Sequence, residues 1–322
     1  MRRNGPAAIG QLPRAPGVYR FRDARERVLY VGRATTLRSR VASYWSDLRD
    51  REHLAPMVAR VAAIEAVACD SVHEAAWLER NLLETSLPRW NLTPGGQESA
   101  VYIRMDTRPA APGLFVASWA EPAAHMRHFG PYLGRQQVRR AITGLNRLLP
   151  LSATGTRLTG TERDIACARG AVSADRSALI SALNAILARE PAAVSHARGR
   201  LEQLRDRAAG VLAYEMAARV QDEIVALDWV TCPQKVTTME PANHTVSGWC
   251  SGILVQFQIS GGRVRSWSQR ACSAPGAARA LAATPPAWGE FMQRSAELAA
   301  TMAGPASRLN NCKPHRCLVV DV

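Results

Sequence analysis

Residues 17–46, GVYRFRDARERVLYVGRATTLRSRVASYWS, decide how the fold of this chain begins. The runs 17–22 and 28–33 are rich in β-branched and aromatic residues, and the polar segment 23–27 separates them. This pattern predicts a β-hairpin. From Thr36 onward apolar residues recur at intervals of three and four, which predicts a helix that begins near Thr36.

The next stretch predicts one more strand and one more helix. Residues 64–69 form another short β-rich run. Ser71 and Glu74 have the spacing of a capping box, which starts a helix, and this helix is predicted to run to about Ser86. Two strands, a helix, a strand and a helix together predict a small α/β unit.

Glu79 interrupts the apolar stripe of that last predicted helix. The residues three, four and eight positions from it are apolar: Ala75, Ala76, Leu82, Leu83 and Leu87. A carboxylate buried without a partner is costly, so it is usually matched by a cation, a metal ion or hydrogen-bond donors. The helix pattern alone favours a plainer alternative, a glutamate at the stripe edge that reaches solvent or pairs with an arginine.

The composition predicts a globular, basic protein. The chain has 322 residues with 47% hydrophobic content, enough for about two domains with packed cores, which excludes wholesale disorder. Lysine and arginine exceed aspartate and glutamate by 41 − 27 = 14. Such an excess predicts a polyanionic partner, either nucleic acid or an anionic membrane surface. Residues 1–60 carry 13 arginines against 5 acidic residues, so we expect the polyanion site there.

Two features of the sequence bear on cellular location. No stretch approaches the roughly 18 to 20 apolar residues that cross a bilayer, and the basic first ten residues lack the apolar core of a signal peptide. We therefore expect a cytoplasmic protein without a membrane partner. Seven scattered cysteines favour reduced thiols over a disulfide framework, and the spacing of Cys312, His315 and Cys317 matches no standard zinc site.

A set of short motifs in residues 12–95 resembles the GIY-YIG nuclease domain, and more narrowly the N-terminal domain of UvrC, a subunit of bacterial nucleotide excision repair. In order they are PGVY at 16–19, LYVG at 29–32 followed by Arg33, Arg40 with Tyr44, Glu79 in LERN, and Asn91 in PRWNL. Each motif alone is weak, because strand tyrosines are ordinarily structural. Together and in register they make the resemblance specific, and they favour a functional role for Glu79.

The resemblance implies a site for phosphodiester hydrolysis, with the catalytic residues Tyr19, Tyr30, Arg40, Tyr44 and Glu79. Glu79 is expected to bind a single Mg²⁺ or Mn²⁺ ion, which prefers oxygen ligands and needs few from the protein. Tyr19 is expected to accept the proton of the attacking water, while Tyr30 and Tyr44 orient water or phosphate. Arg40 is expected to clamp the scissile phosphate.

Three further residues are expected to support this site. Gly32 lets the backbone approach the substrate or the adjacent helix closely. Arg33 stands where the family usually has lysine and, with Arg40, supplies the positive charge that a tyrosine base requires at neutral pH. Asn91 is expected to hold the site together by hydrogen bonds rather than to touch the metal ion.

Residues 96–195 are predicted to form a connecting region. Within it, residues 128–151 resemble the UvrC segment that follows the nuclease domain, with a GPY turn and a basic amphipathic helix. In the family a cysteine-rich stretch that can hold an iron–sulfur cluster comes next, whereas this chain keeps only Cys167 there. One thiolate cannot hold a cluster that needs four, so no iron–sulfur cluster is expected.

Residues 196–230 carry apolar residues at steps of three and four on either side of Gly210, which predicts an antiparallel helical hairpin. Its second arm resembles the UVR motif through which UvrC contacts UvrB, although Gln221 replaces a usual arginine. The resemblance implies that a UvrB-like protein docks there through Tyr214 and Glu215. The alternative is a plain structural hairpin in which Tyr214 packs into the core.

Residues 231–322 are predicted to be a small β-containing C-terminal remnant. Residues 233–270 resemble the first strands of the ribonuclease-H-like domain of UvrC, without the acidic catalytic set of that domain or the helix-hairpin-helix tail. We expect this remnant to be scaffold, with the Ala/Pro-rich stretch 274–287 as a loop. The predicted fold is thus an α/β GIY-YIG domain over residues 1–95, a helical region with a UVR-type hairpin, and this remnant.

These expectations describe a metal-dependent DNA endonuclease of nucleotide excision repair, a shortened UvrC-like nickase that makes a single incision on the 3′ side. Two alternatives stay open at this point. A UvrC-like adaptor that binds DNA or UvrB without cutting is favoured by the missing cluster cysteines and the missing second nuclease. A GIY-YIG nuclease outside repair is the other, and UvrB binding distinguishes it from the first.

Overall fold

The computed structural model describes residues 7–46, 48–92, 99–121, 123–168 and 175–309, and the chain divides into two compact units. The first unit combines the described residues up to 92 with those from 234 onward, and the second lies between them. The predicted segments 1–95 and 231–322 thus share one unit, and the two middle segments share the other. Cys312, His315 and Cys317 lie outside the described residues.

The first unit begins with the elements that the sequence predicts. Their bounds are β1 Gly17–Arg22, β2 Val28–Ala34, α1 Leu37–Ser46, α2 Ala55–Val58, β3 Ala63–Ala68 and α3 Val72–Thr85. The sheet is antiparallel in the order β2-β1-β3, so β1 is central and β2 is an edge strand. The hairpin, the third strand and both predicted helices are confirmed, and the Ser71 hydroxyl accepts the Glu74 N–H at the start of α3.

The side chains of β1 alternate between the two faces of this sheet. Tyr19 and Phe21 lie in a hydrophobic core that also contains Tyr44 of α1. On the opposite face Arg20 is buried and pairs with Glu65, which lies directly across from it in β3. The two charges compensate each other, which allows an arginine and a carboxylate to lie inside the unit.

The second unit holds another antiparallel sheet and five helices. Their bounds are β4 Ala100–Asp106, β5 Gly113–Ala117, β6 Met126–Leu133, α4 Arg135–Leu148, α5 Gly160–Ala168, α6 Arg176–Leu187, α7 Pro191–Gly210 and α8 Tyr214–Thr231. The strand order is β5-β4-β6. The predicted basic helix is α4, and its apolar side chains join the core of this unit.

The GPY turn predicted at residues 130–132 is wrong. These residues lie inside β6, where pairing with β4 shifts register between Val101 and Ile103. Proline cannot donate a hydrogen bond to a strand ladder, and an irregularity of this kind accommodates it without ending the strand. The pairing partner β4 is distant in sequence, so the local pattern did not reveal the strand.

Helices α7 and α8 form the antiparallel hairpin that the apolar spacing predicts. Arg198 pairs with Asp228 and Arg205 donates to the Gln221 side chain, so positions in the two arms run in opposite directions. The hairpin buries four predicted apolar residues: Leu201, Val220, Ile224 and Leu227. Gln221, which replaces the usual arginine, is therefore satisfied within the hairpin itself.

The C-terminal segment adds three strands and two helices to the first unit. Their bounds are β7 His244–Cys250, β8 Ile253–Ser260, β9 Arg263–Ala271, α9 Ala274–Ala282 and α10 Pro286–Leu309, and the strands pair in the order β7-β8-β9. The prediction of a loop at 274–287 is wrong, because this stretch forms α9 and the start of α10. The Ser273 hydroxyl caps α9 by accepting the Gly276 N–H, and the prolines occupy first-turn positions that helices tolerate.

This C-terminal segment packs directly on the first sheet. Helix α10 contacts β3 and β7, and α3 contacts β9. The Arg20 guanidinium lies 3.9 Å from the centroid of the Trp267 ring in β9. At Gly248 in β7 an added Cβ would lie 2.0 Å from the Met292 carbonyl oxygen of α10. In the described residues no helix is long and apolar enough to cross a membrane.

Replacing Gly248 by alanine should destabilise the first unit, because the new methyl group would collide with the backbone of α10. We expect the free energy of unfolding to fall by about 1 to 3 kcal/mol, measured by urea denaturation. Gly289→Ala is the matched control, since Gly289 lies in α10 with nothing near its Cβ position, and it should be neutral or stabilising by up to about 1 kcal/mol. Equal losses in both variants would contradict the close packing of β7 on α10.

Candidate active site

Three tyrosines meet on one face of the first sheet. The ring centroids of Tyr19, Tyr30 and Tyr44 form a triangle with sides of 6.3, 5.9 and 6.0 Å. The register explains two of them: Phe21 lies opposite Tyr30 across β1 and β2, so Tyr19 is a diagonal neighbour of Tyr30 on the same face. The hydroxyl oxygens of Tyr19 and Tyr44 are 2.8 Å apart, and Tyr30 also hydrogen-bonds Tyr44.

Gly32 provides the space for these phenols. It lies opposite Tyr19, and a Cβ there would be 2.6 Å from the Tyr19 hydroxyl oxygen and 2.7 Å from a ring carbon of Tyr30. Any larger residue would displace both rings. The close approach predicted for this glycine is therefore to the tyrosines themselves.

Arg40 brings positive charge to the tyrosine cluster. It precedes Tyr44 by one helical turn in α1, its guanidinium lies 5.6 Å from the centroid of the Tyr44 ring, and it donates a hydrogen bond to Tyr19. Its side chain is exposed, so it is accessible to a phosphate. Other arginines of residues 1–60 are paired with carboxylates: Arg20, Arg22, Arg27 and Arg33.

Burial controls the acidity of the phenols. Burial and then the neighbouring Tyr44 and Tyr30 raise the pKa of Tyr19 well above its usual value, and Arg40 offsets only part of this effect. Burial and Tyr44 also raise the pKa of Tyr30, and nearby Glu79 adds to the shift. Both phenols are thus protonated at neutral pH, and a base role for Tyr19 needs more positive charge than Arg40 supplies.

Glu79 lies beside the free edge of β2. One carboxylate oxygen accepts the backbone N–H of Arg33 at 3.0 Å, and the other is 3.3 Å from the Arg33 Nε. The side chain keeps 22% of its surface exposed. Burial raises the pKa of Glu79, although Arg33 and Arg40 act in the opposite direction. Glu79 thus pairs with an arginine, and this pairing holds its carboxylate next to the tyrosine cluster.

The other outward-facing groups of β2 are also capped by side chains and backbone. The Asn91 amide oxygen accepts the Val31 N–H at 2.9 Å, and its Nδ2 donates to the Val31 carbonyl at 2.7 Å. The Trp90 N–H donates to the Leu29 carbonyl at 3.3 Å. These bonds satisfy an edge strand that would otherwise expose unpaired groups. The Asn91 side chain therefore lies along β2, where it holds the strand that carries Tyr30 and Gly32.

Glu79 fits a divalent cation that takes few ligands from the protein. No cluster of three or more His, Cys, Asp or Glu side chains that could enclose a metal ion occurs in the part of the chain that the structure describes. A single carboxylate suits Mg²⁺, which keeps most of its waters. The raised pKa of Glu79 shows that the arginines do not fully compensate its charge, so a cation at this carboxylate is electrostatically favourable.

Two buried polar residues of α3, Glu74 and Asn81, have partners that the sequence pattern does not reveal. The Glu74 carboxylate accepts the Lys235 backbone N–H at 2.8 Å, and the Asn81 Nδ2 donates to the Thr237 hydroxyl at 2.8 Å. Both bonds anchor the start of the C-terminal segment on the helix that carries Glu79. The capping box identifies Glu74, but no local pattern could indicate a partner more than 150 residues away.

Glu79→Gln should leave the melting temperature at pH 7 unchanged or higher. Because the folded-state pKa of Glu79 is raised, the ionised carboxylate weakens folding at neutral pH, and an amide does not. This cost appears as the pH rises through the folded pKa and is absent below the unfolded value, which is near 4.3. The two proteins should therefore converge in thermal melts as the pH falls towards about 4. A variant less stable than the wild type at pH 7 would contradict this account.

Comparisons with known proteins agree with this geometry. A family profile described as the UvrC-like GIY-YIG domain matches residues 15–92, which include all the residues of the site. The matched region contains the tyrosine cluster, Glu79 and Asn91, and it ends where the structure leaves β2 capped.

Three relatives carry the name UvrABC system protein C. The protein of Anaeromyxobacter sp. (strain Fw109-5) is 30% identical over 255 residues, which are 74% of this chain and 35% of the relative. That of Trichlorobacter lovleyi is 32% identical over 257 residues, 77% and 41% respectively. That of Geobacter metallireducens is 36% identical over 144 residues, 44% and 23% respectively. The matches thus span less than half of each relative's length. This chain contains a UvrC-like GIY-YIG domain at residues 15–92 and is related to UvrABC system protein C over most of its length.

Proposed function

We propose that this chain is a metal-dependent DNA endonuclease of nucleotide excision repair that cuts one strand on the 3′ side of a lesion. The observation that carries the proposal is the convergence of three tyrosine hydroxyls and Arg40 with the carboxylate of Glu79 beside them. The relationship to UvrABC system protein C supports the repair setting. The presence of one such site supports a single incision.

Arg40 would bind the scissile phosphate. Hydrolysis of a phosphodiester places growing negative charge on the nonbridging oxygens, and a guanidinium can donate two parallel N–H bonds to them. Arg40 is exposed and already hydrogen-bonded to Tyr19. A phosphate held by this arginine would therefore lie next to the phenol that acts on the water.

Glu79 would hold a Mg²⁺ or Mn²⁺ ion, which when bound supplies a Lewis acid for the phosphate oxygens. The contribution of the protein is to fix this carboxylate. The Arg33 N–H holds one oxygen, and α3 is anchored by the buried bonds of Glu74 and Asn81. A ligand held this rigidly needs little reorganisation during the reaction.

Tyr19 would accept the proton of the attacking water. Its pKa is raised, so the protonated phenol must pass its own proton on as it accepts another. The Tyr44 hydroxyl, 2.8 Å away, is the neighbour that can receive it, and Tyr30 continues the chain of hydroxyls toward solvent. The hydrogen bond from Arg40 stabilises negative charge on the Tyr19 oxygen during this transfer.

Tyr19→Phe and Glu79→Gln should each lower the rate of nicking by about 100-fold or more, because each removes a group that takes part in the chemistry. The assay uses the full chain with Mg²⁺ or Mn²⁺, with and without UvrB, on a duplex with one defined lesion. The position of the cut is found by end-labelling, and EDTA should stop the reaction.

Glu26→Gln is the matched control for this assay, since Glu26 is an exposed carboxylate in the β1–β2 turn of the same unit. It should nick at the wild-type rate. Unchanged cleavage in both Tyr19→Phe and Glu79→Gln would show that the site is wrongly assigned. A wild-type chain that binds DNA or UvrB but never cuts would instead favour the adaptor.

We also propose that the tip of the α7–α8 hairpin docks a UvrB-like protein. Tyr214 is 65% exposed rather than packed into the core, and Val211 and Leu212 beside it are also largely exposed. The tip forms an open pocket of about 490 Å³ that Glu215 and Arg219 also line. Contiguous apolar side chains rimmed by charges are typical of protein interaction sites, with an aromatic residue as the anchor.

Tyr214→Ala should lower the affinity for UvrB by about tenfold or more, because an exposed aromatic anchor contributes to binding without supporting the fold. Its melting temperature should stay within about 1 °C of the wild type, since the ring buries little surface in the protein alone. Affinity is measured by calorimetry, and Val225→Ala, an exposed apolar position elsewhere on α8, is the control. Wild-type affinity, or a large drop in melting temperature, would refute the docking role.

A further inference from the structure

The sheet of the second unit has one face that no core covers. In the central strand β4 the residues Val101, Ile103 and Met105 belong to the hydrophobic core. The residues between them, Tyr102 and Arg104, lie on the other face and are partly exposed. This second face therefore presents an aromatic ring and a cation to the surroundings of the unit.

Arg104 lies in the middle of a row across this open face. It is paired with Phe115 in β5 on one side and with His128 in β6 on the other. Its guanidinium carbon is 5.0 Å from the centroid of the Phe115 ring, which is 40% exposed although it is large and apolar. The row thus combines an accessible aromatic surface with a positive charge held next to it.

The charge of Arg104 has no carboxylate partner among the described residues, and its buried Nε lacks a hydrogen-bond acceptor. The acid on the same face, Asp106, is occupied by Arg108, whose guanidinium binds both of its oxygens. That pair leaves Arg104 uncompensated. An arginine that is partly desolvated and lacks an anion is a position where an anionic ligand gains most.

Two further residues extend this surface at the end of β5. Trp119, two residues beyond the strand, exposes 65% of its surface. Arg135, at the start of α4, donates to the Ser118 hydroxyl at 3.0 Å, which brings a second cation to the same end. The open face with this extension is called the β4–β6 platform below, and it comprises Tyr102, Arg104, Phe115, Trp119, His128 and Arg135.

We propose that the β4–β6 platform binds single-stranded DNA, with Phe115 and Trp119 stacking on unpaired bases and Arg104 bound to a phosphate. The charges are complementary, since the platform offers free arginine and the backbone of DNA is anionic. A sheet face does not enter a groove of a duplex, whose bases are already stacked, whereas unpaired bases offer their faces to aromatic side chains. The choice of DNA over RNA rests on the proposed endonuclease function.

The test measures binding of a fluorescent oligo-dT of about 15 nucleotides by anisotropy. The protein is the full chain with Glu79→Gln, in EDTA, so that binding is separated from cleavage. Phe115→Ala should weaken binding by about 5- to 100-fold, the range of a lost stacking contact. Arg104→Gln should also weaken it and should reduce the slope of log K against log salt by about 0.7, which corresponds to one phosphate contact.

The matched control is Arg200→Gln, which removes one exposed arginine from α7 of the same unit. It should change the affinity by less than about twofold, and Phe115→Ala should affect a duplex of equal length no more than that. Circular dichroism melts of all variants check that the fold is kept.

Wild-type affinity for oligo-dT in both Phe115→Ala and Arg104→Gln would overturn the proposal. Oligo-U that binds as tightly as oligo-dT, with equal losses in both variants, would overturn the assignment to DNA. A chain that never nicks DNA yet binds oligo-dT through Phe115 would refute the endonuclease and leave the platform standing. Nicking with no effect of Phe115 on binding would do the reverse.

Discussion

The backbone of the edge strand β2 must find hydrogen-bond partners outside the sheet, and the rest of the site depends on how it does so. Glu79 accepts the Arg33 N–H and Asn91 binds both backbone groups of Val31. The same contacts bring the proposed metal ligand, the helix α3 and the segment after it to the strand that carries Tyr30. A requirement of secondary structure thereby positions the groups proposed for the chemistry.

The first unit combines this strand edge with an unusually rigid support. Glu74 and Asn81 bind the backbone and side chain of the C-terminal segment, and Arg20 is buried between Glu65 and Trp267. These contacts close the sheet on the face opposite the tyrosines. The cost of this burial falls on the phenols, whose raised pKa makes them poor bases until charge is added.

The two units present different chemistry to nucleic acid. The first holds a carboxylate, an exposed arginine and a chain of hydroxyls, which suit the cleavage of a phosphodiester. The second holds an open sheet face with an accessible aromatic ring and an uncompensated arginine, which suits the binding of unpaired bases. The net charge of +14 is consistent with both surfaces.

The sequence by itself determined the local elements and the site residues, because their signals lie within one turn or one strand. The hairpin around residues 23–27, the capping box at Ser71 and the α7–α8 hairpin all follow from short-range patterns. Only the tertiary structure decided that 274–287 is helical, that Gly32 makes room for two phenols, and that Glu79 pairs with Arg33. It also decided that burial raises the pKa of Tyr19. These outcomes arise from groups that are distant in the chain, whose contacts and desolvation no local pattern contains.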